Sequence, residues 1–126
     1  MPTTRKNTQQ RQAIRSALQE ADRPLSPTEV LEAAQTEAPT LGIATVYRNL
    51  RTLMEDGWLQ SVGLPGNPDR YEIAGKEHHH HFHCRGCDRL FEVADCPGDL
   101  QSICPQGFAL DDHKIILYGH CSDCSV

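Results

Sequence analysis

Residues 1–75 contain neither cysteine nor histidine, although the chain has six of the first and seven of the second. Any thiolate or imidazole metal ligand must therefore come from residue 78 onward, and the first part of the chain has to fold without one. Also absent is an apolar run approaching the ~20 residues of a membrane span, which argues against a transmembrane helix. Nothing at the N-terminus resembles a signal peptide. The expectation is a cytoplasmic protein with no membrane partner, whose reduced thiols serve metals before disulfides. Acidic residues are missing from two stretches, 1–19 and 38–54, in a chain of formal net charge −5. The acidic total argues against indiscriminate coating of nucleic acid. Arg5, Lys6, Arg11 and Arg15 in the first stretch, with Arg48 and Arg51 in the second, fit a limited phosphate contact. Solvated helix faces would leave the same charge pattern.

What is present follows the same division. A chain of 126 residues is one domain or two small ones, and two small halves have thin cores that a metal or partner chain would help to stabilise. The boundary of cysteine and histidine use places a metal-free module at 1–74 and a metal-binding one at 75–126, linked by "AGKE" at 74–77.

The first module reads as helices. "NTQQRQAIRSALQEA" (7–21) sets Ile14 and Leu18 at i, i+4, with Thr8 as N-cap. "SPTEVLEAAQTE" (26–37) opens with Ser26, a proline at the first helical position, and Glu29 three residues on, the pattern of a capping box. "ATVYRNLRTLMEDG" (44–57) carries Val46, Leu50 and Leu53 on one stripe and stops at Gly57. "WLQSVG", a turn "LPGNPD" and "RYEIA" then predict a two-stranded hairpin. Three short helices and a hairpin form a winged helix-turn-helix pattern. Its third helix would present Thr45, Tyr47 and Arg48 to base edges and phosphates. Alternatively, Tyr47 is half-buried helix packing.

The second module reads as short strands, "HHHFHC", "RLFEVA" and "KIILYGH", with a short helix or irregular loop in "DCPGDLQSICPQG". Cys84-x-x-Cys87 and Cys121-x-x-Cys124, 33 residues apart, have the layout of a closed four-thiolate structural zinc site. A redox dithiol would instead open a helix in a βαβ unit. Cys96 and Cys104 are left over, either as plain thiols or, for Cys96, as a thiolate lent to a nearby metal. The five histidines of residues 78–83 alternate along a strand. His79, His81 and His83 share one face, and His78 and His80 share the other with Phe82. Two sites that each collect histidines at i and i+2 are natural, with Glu72, Glu92, Asp99, Asp111, Asp112, His113 and His120 available to complete them. A solvent-facing ladder without metal is the plainer alternative. A zinc hydrolase using Glu92 as base would be a different class, but no HExxH helix is present.

Together, "ATVYRNL", "HHHHFHCRGC" and "YGHCSDC" resemble the ferric-uptake-regulator family of metal-sensing repressors over nearly the whole chain. The resemblance implies an α+β fold: an N-terminal winged helix-turn-helix domain and a small α/β dimerisation domain with a four-cysteine zinc site. It implies a homodimer that binds a double-stranded A·T-rich palindromic operator when its regulatory metal is bound, and no enzymatic activity. By position, Cys84, Cys87, Cys121 and Cys124 match the structural zinc ligands. Glu72, His79, His81 and Glu92 match the regulatory site, and His78, His80, Asp99 and His113 an additional one. Arg11, Thr45, Tyr47, Arg48 and Arg51 fall on the DNA-binding surface. The pattern departs from the family at three points. Pro24 or Leu25 stands where iron and peroxide sensors often add a histidine. The strand before the histidine run lacks the cysteine of many zinc sensors, unless Cys96 compensates. The segment from Glu92 to His113 is short for the family's dimerisation helix. The four-histidine run looks more like zinc-uptake regulators, so Zn2+ is expected as regulatory metal over Fe2+ or Mn2+. Iron-responsive or peroxide-sensing repression is the alternative within the family, and a zinc-binding interaction or storage protein without DNA affinity the alternative outside it.

Overall fold

The computed structural model describes residues 2–125, with side chains from Asn7 onward. The side chains of Arg5 and Lys6 thus lie outside the described residues. The chain divides into two compact units, Met1–Gly75 and Lys76–Val126. No described helix is long and apolar enough to cross a membrane.

The first unit runs α1 (Pro2–Ala21), α2 (Pro27–Ala34), α3 (Ile43–Glu55), β1 (Leu59–Leu64) and β2 (Asn67–Ile73). Helix α1 begins before Thr8, so Thr8 is an interior residue and not the expected N-cap. A proline at the first helical position has no amide hydrogen to leave unsatisfied, and no glycine or proline follows to stop the helix. Ala13, Ile14, Ala17 and Leu18 bury one stripe of α1 against Val30 and Ala34 of α2 and Val46, Leu50 and Leu53 of α3. Helix α2 has the expected capping box: Glu29 N–H donates to Ser26 Oγ at 3.2 Å, and Ser26 N–H to Glu29 Oε1 at 3.1 Å. The same carboxylate takes Arg23 at 2.6 Å and lies 3.7 Å from buried Arg70 of β2, so one glutamate caps a helix and anchors the hairpin. Leu25 and Tyr71 exchange two backbone hydrogen bonds of 2.9 Å, a second attachment of β2 to the α1–α2 connection.

Helix α3 ends in a Schellman motif. Gly57 N–H donates to Met54 O and Trp58 N–H to Leu53 O, with Gly57 at φ +79°, a conformation that glycine adopts without a Cβ penalty. The hairpin turn is tighter than the six residues expected. Leu64 already pairs with Asn67, leaving Pro65 and Gly66 as the turn, with Gly66 at φ +76°. Pro65 presets the first turn position, and a register shift between Val62 and Leu64 absorbs the mismatch.

The second unit is a three-stranded sheet of β3 (His80–Cys84), β4 (Leu90–Val93) and β5 (Ile116–Gly119), in the order β4-β3-β5. Strand β3 is antiparallel to β4 and parallel to β5. Between β4 and β5 the chain forms one 3₁₀ turn, Gln101–Ile103. The unit expected to be α/β therefore has no α-helix among its described residues. Pro97, Gly98, Pro105 and Gly107 break the segment too often for one to propagate.

Candidate metal centres and nucleic-acid interface

The parallel pairing of β3 with β5 sets Cys84 opposite Gly119, two residues before Cys121. With the two C-x-x-C turns, this brings the sulfurs of Cys84, Cys87, Cys121 and Cys124 within 4.8 Å of one another. The Cys87 and Cys121 sulfurs are 3.8 Å apart, matching the ~3.8 Å edge of a tetrahedron with metal–sulfur bonds of about 2.3 Å. Backbone N–H groups of Gly86, Cys87 and Cys121 donate to Cys84 Sγ at 3.3, 3.4 and 3.3 Å. The Cys87 and Cys121 amides lead in lowering the Cys84 thiol to a pKa of about 5. Contact with Cys121 pushes the Cys124 thiol up to about 12, as expected where several sulfurs would share negative charge without a cation. Gly86 closes the turn: a Cβ there would lie 2.9 Å from Cys124 Cβ. These four residues fit a structural zinc.

On the even face of β3, His78, His80 and His113 meet Cys96, with one donor atom from each within 4.8 Å of the others. The Nε2 of His78 lies 3.1 Å from that of His80 and 3.3 Å from that of His113. The Cys96 sulfur lies 3.3, 3.5 and 3.1 Å from Nε2 of His80, His78 and His113. Asp99, expected as the fourth ligand, is not among them. The chain passes Gly98 at φ +91°, and Asp99 Oδ1 then accepts the Gln101 N–H at 2.8 Å. Asp99 lines a cavity of about 300 Å³ with His78, His113, Asp111 and Asp112, beside the gathered donors but not one of them. Burial, then the neighbouring His78 and His113, lowers the pKa of His80, so its ring stays neutral and ready to ligate. Ile115 N–H lies 3.1 Å from His80 Nδ1. Were Nε2 to hold a cation, the ring proton would sit on Nδ1 and this contact would have to give way.

On the odd face, the rings of His79 and His81 are 4.8 Å apart. Glu92, paired with His81 across the strands, lies 3.9 Å from His79 Nδ1 and takes Lys76 at 3.0 Å. Glu72 belongs to β2 of the first unit, where it accepts from Gln60 at 3.2 Å. His83, although on this face by alternation, pairs with Asp88 at 2.7 Å and stacks edge-on with Tyr118. Cys104 lies outside both cysteine groups, its sulfur 3.8 Å from Leu100 O.

In the first unit Arg11, Thr45 and Arg48 line a cleft of about 420 Å³ between α1 and α3, with Asn7, Gln10, Asn49 and Thr52. Arg48 donates to Thr45 Oγ1 at 2.9 Å, which holds the guanidinium along α3. Tyr47 is 54% exposed, so it is not half-buried packing, and Arg51 is exposed beside it. Arg15 stacks on Trp58 at 4.9 Å, a structural role for one of the basic residues. Gly42 starts α3 without a side-chain cap, leaving amide donors of the first turn beside this polar, cationic cleft. An oxygen-rich anionic surface suits this cleft. The signal for Asn7, Asn49 and Thr52 is their i, i+4 spacing from Arg11, Thr45 and Arg48, whereas Gln10, next to Arg11, has no such signal.

A family model described as the ferric uptake regulator family matches residues 3–118. The ferric uptake regulation protein of Campylobacter jejuni is 33% identical over 125 residues, covering 95% of this chain and 80% of that protein. The solved structure of the Helicobacter pylori ferric uptake regulator Fur, described as having three functional metal binding sites, aligns with a TM-score of 0.69 at 28% identity, covering 93% of this chain and 80% of that one. FurB of M. tuberculosis, a zinc uptake regulator, aligns with a TM-score of 0.52 at 29% identity and covers 94% of each chain.

Proposed function

The chain belongs to the ferric uptake regulator family, and from that premise we propose that it is a zinc-responsive repressor that binds operator DNA as a homodimer. Membership makes it a metal-dependent, DNA-binding transcription regulator and not an enzyme. In this reading the first unit is a winged helix-turn-helix domain, with α3 as recognition helix and the β1–β2 hairpin as wing. The second unit is the dimerisation domain. Thr45, Tyr47 and Arg48 meet the major groove of an A·T-rich palindrome, and Arg11 and Arg51 hold its phosphates. The observation that carries the reading is the pairing, within one chain, of a cationic cleft beside an uncapped α3 with gathered metal donors.

His79, His81 and Glu92 are the proposed sensing ligands, joined by Glu72 on the family resemblance. Bound there, a divalent cation supplies the energy that biases the protein toward its DNA-binding form. The linkage is reciprocal: DNA raises metal affinity by the same factor that metal raises DNA affinity. Zinc is favoured on the four-histidine run of residues 78–81, which looks more like zinc-uptake regulators of the family. Where iron and peroxide sensors of the family often add a histidine, this chain offers Pro24 or Leu25, both buried and neither a metal ligand. Iron-responsive repression has its support in the likeness to ferric uptake regulation proteins.

Fluorescence anisotropy with an A·T-rich palindromic duplex tests the DNA-binding half. Zinc-loaded protein should bind with an affinity that falls steeply with salt, and Arg48→Ala should weaken it by roughly 1–3 kcal/mol with zinc content unchanged. Absence of salt-dependent binding would favour a zinc-binding interaction or storage protein.

A further inference from the structure

We propose that Cys96 is a direct metal ligand that completes, with His78, His80 and His113, a closed four-coordinate site selecting zinc-like cations over manganese and iron(II). The inference rests on reading the second unit as metal-binding, and concerns which cation one of its donor groups admits. Five edges among the four donor atoms are 3.1, 3.3, 3.3, 3.5 and 3.1 Å. A tetrahedral cation with bonds of about 2.0–2.1 Å to nitrogen and about 2.3 Å to sulfur sets these edges at about 3.3–3.6 Å. Hydrogen bonding alone does not account for the arrangement. The thiol has a single proton and faces three ring nitrogens, while each neutral ring has one proton for two nitrogens. Four donor atoms gathered in five close contacts, with at most four protons to join them, are arranged as ligands.

The elements explain why Cys96 reaches this centre. Strand β4 ends at Val93, paired with His80, so Cys96 lies three residues beyond a strand that runs beside the histidines. Pro97 and Gly98 then turn the chain, and Asp99 is committed to the Gln101 amide. The donor set is therefore three imidazoles and one thiolate, with one negative charge and no carboxylate. Manganese and iron(II) favour oxygen-rich sites of higher coordination number, whereas a compact nitrogen–sulfur tetrahedron suits zinc and cobalt(II). Cys96 is thus the specificity-determining ligand of this group.

Cobalt(II) titration of the full chain, with zinc already in the Cys84–Cys87–Cys121–Cys124 group, tests the assignment by absorption spectroscopy. Wild type should show intense visible bands of four-coordinate cobalt and a near-ultraviolet sulfur-to-cobalt charge-transfer band. Cys96→Ser should lose the charge-transfer band and weaken zinc at this group by on the order of 100-fold or more, since losing even an outer-shell partner costs about 10–100-fold. Asp99→Asn should keep the band and the affinity. Cys96→Asp should narrow the preference for zinc over manganese. The proposal is overturned if Cys96→Ser retains the band, if Asp99→Asn abolishes it, or if Cys96→Asp leaves the preference unaltered. One retained structural zinc per chain reports that each variant is folded. DNA affinity is read separately. A wild type whose DNA binding ignores zinc removes the zinc-responsive reading and leaves the Cys96 assignment standing. A Cys96→Ser protein with an unchanged spectrum removes the assignment and leaves the repressor reading standing.

Discussion

At the scale of single residues, metal binding depends on small steric and protonic details. Gly86 has no room for a side chain, since an added Cβ would lie 2.9 Å from Cys124 Cβ and 3.0 Å from its sulfur. Gly86→Ala should therefore force Cys124 aside and weaken structural zinc by roughly 10–100-fold, the usual cost of disturbing a ligand's support, measured by chelator competition. His80 makes a pH prediction. Its pKa in the fold lies below the ordinary histidine value, first through burial. The unfolded chain therefore takes up the proton at higher pH. Metal-free stability from this group is fully present above about pH 6.5 and is lost as pH falls from there toward the folded-state pKa, visible as a falling Tm. Residue chemistry was legible in part. Alternation separated the two histidine faces, and C-x-x-C spacing named the four thiols. The sequence offers Cys96 as a thiolate for a nearby metal but not its choice over Asp99, which depends on a glycine turn and a local amide hydrogen bond that spacing does not encode.

At the scale of elements, local signals were readable where two of them agreed. Ser26, Pro27 and Glu29 specify the start of α2 redundantly, and the helix starts there. Ser26→Ala should cost about 1 kcal/mol, a Tm decrease of about 4–8 °C for a unit this small. Glu29→Ala should cost more, because it also removes a carboxylate paired with Arg23 at 2.6 Å and lying 3.7 Å from buried Arg70. A differential scan comparing the two variants checks the order. Helix α1 starts upstream of the expected cap because Thr8 has the chemistry of a cap while nothing before it opposes helix. The hairpin turn was overestimated because Asn67, Pro68 and Asp69 read as turn residues but form the start of β2. Register against β1, a nonlocal property, decides that segment.

At the scale of the whole molecule, stability is divided between two kinds of interior. The first unit has an apolar cluster extending from Ala13 to Leu59. The second is a sheet of three short strands with two groups of gathered metal donors among its own residues. Chelation strong enough to strip the four-cysteine group should collapse the second unit's strand signal in circular dichroism. The helices and the emission of Trp58, the single tryptophan, should persist. Family membership was legible from motifs that cover the chain, whereas the choice of metal depends on donor softness and geometry that sequence only outlines. The central claim is that zinc controls DNA affinity. Its most direct test is the Kd for an A·T-rich palindromic duplex, measured anaerobically with structural zinc in place while zinc, iron(II) and manganese(II) are titrated separately. Zinc should tighten binding by about 5–150-fold, at free concentrations where the other two leave it unchanged. Affinity that no metal alters, or that iron(II) raises and zinc does not, would contradict it.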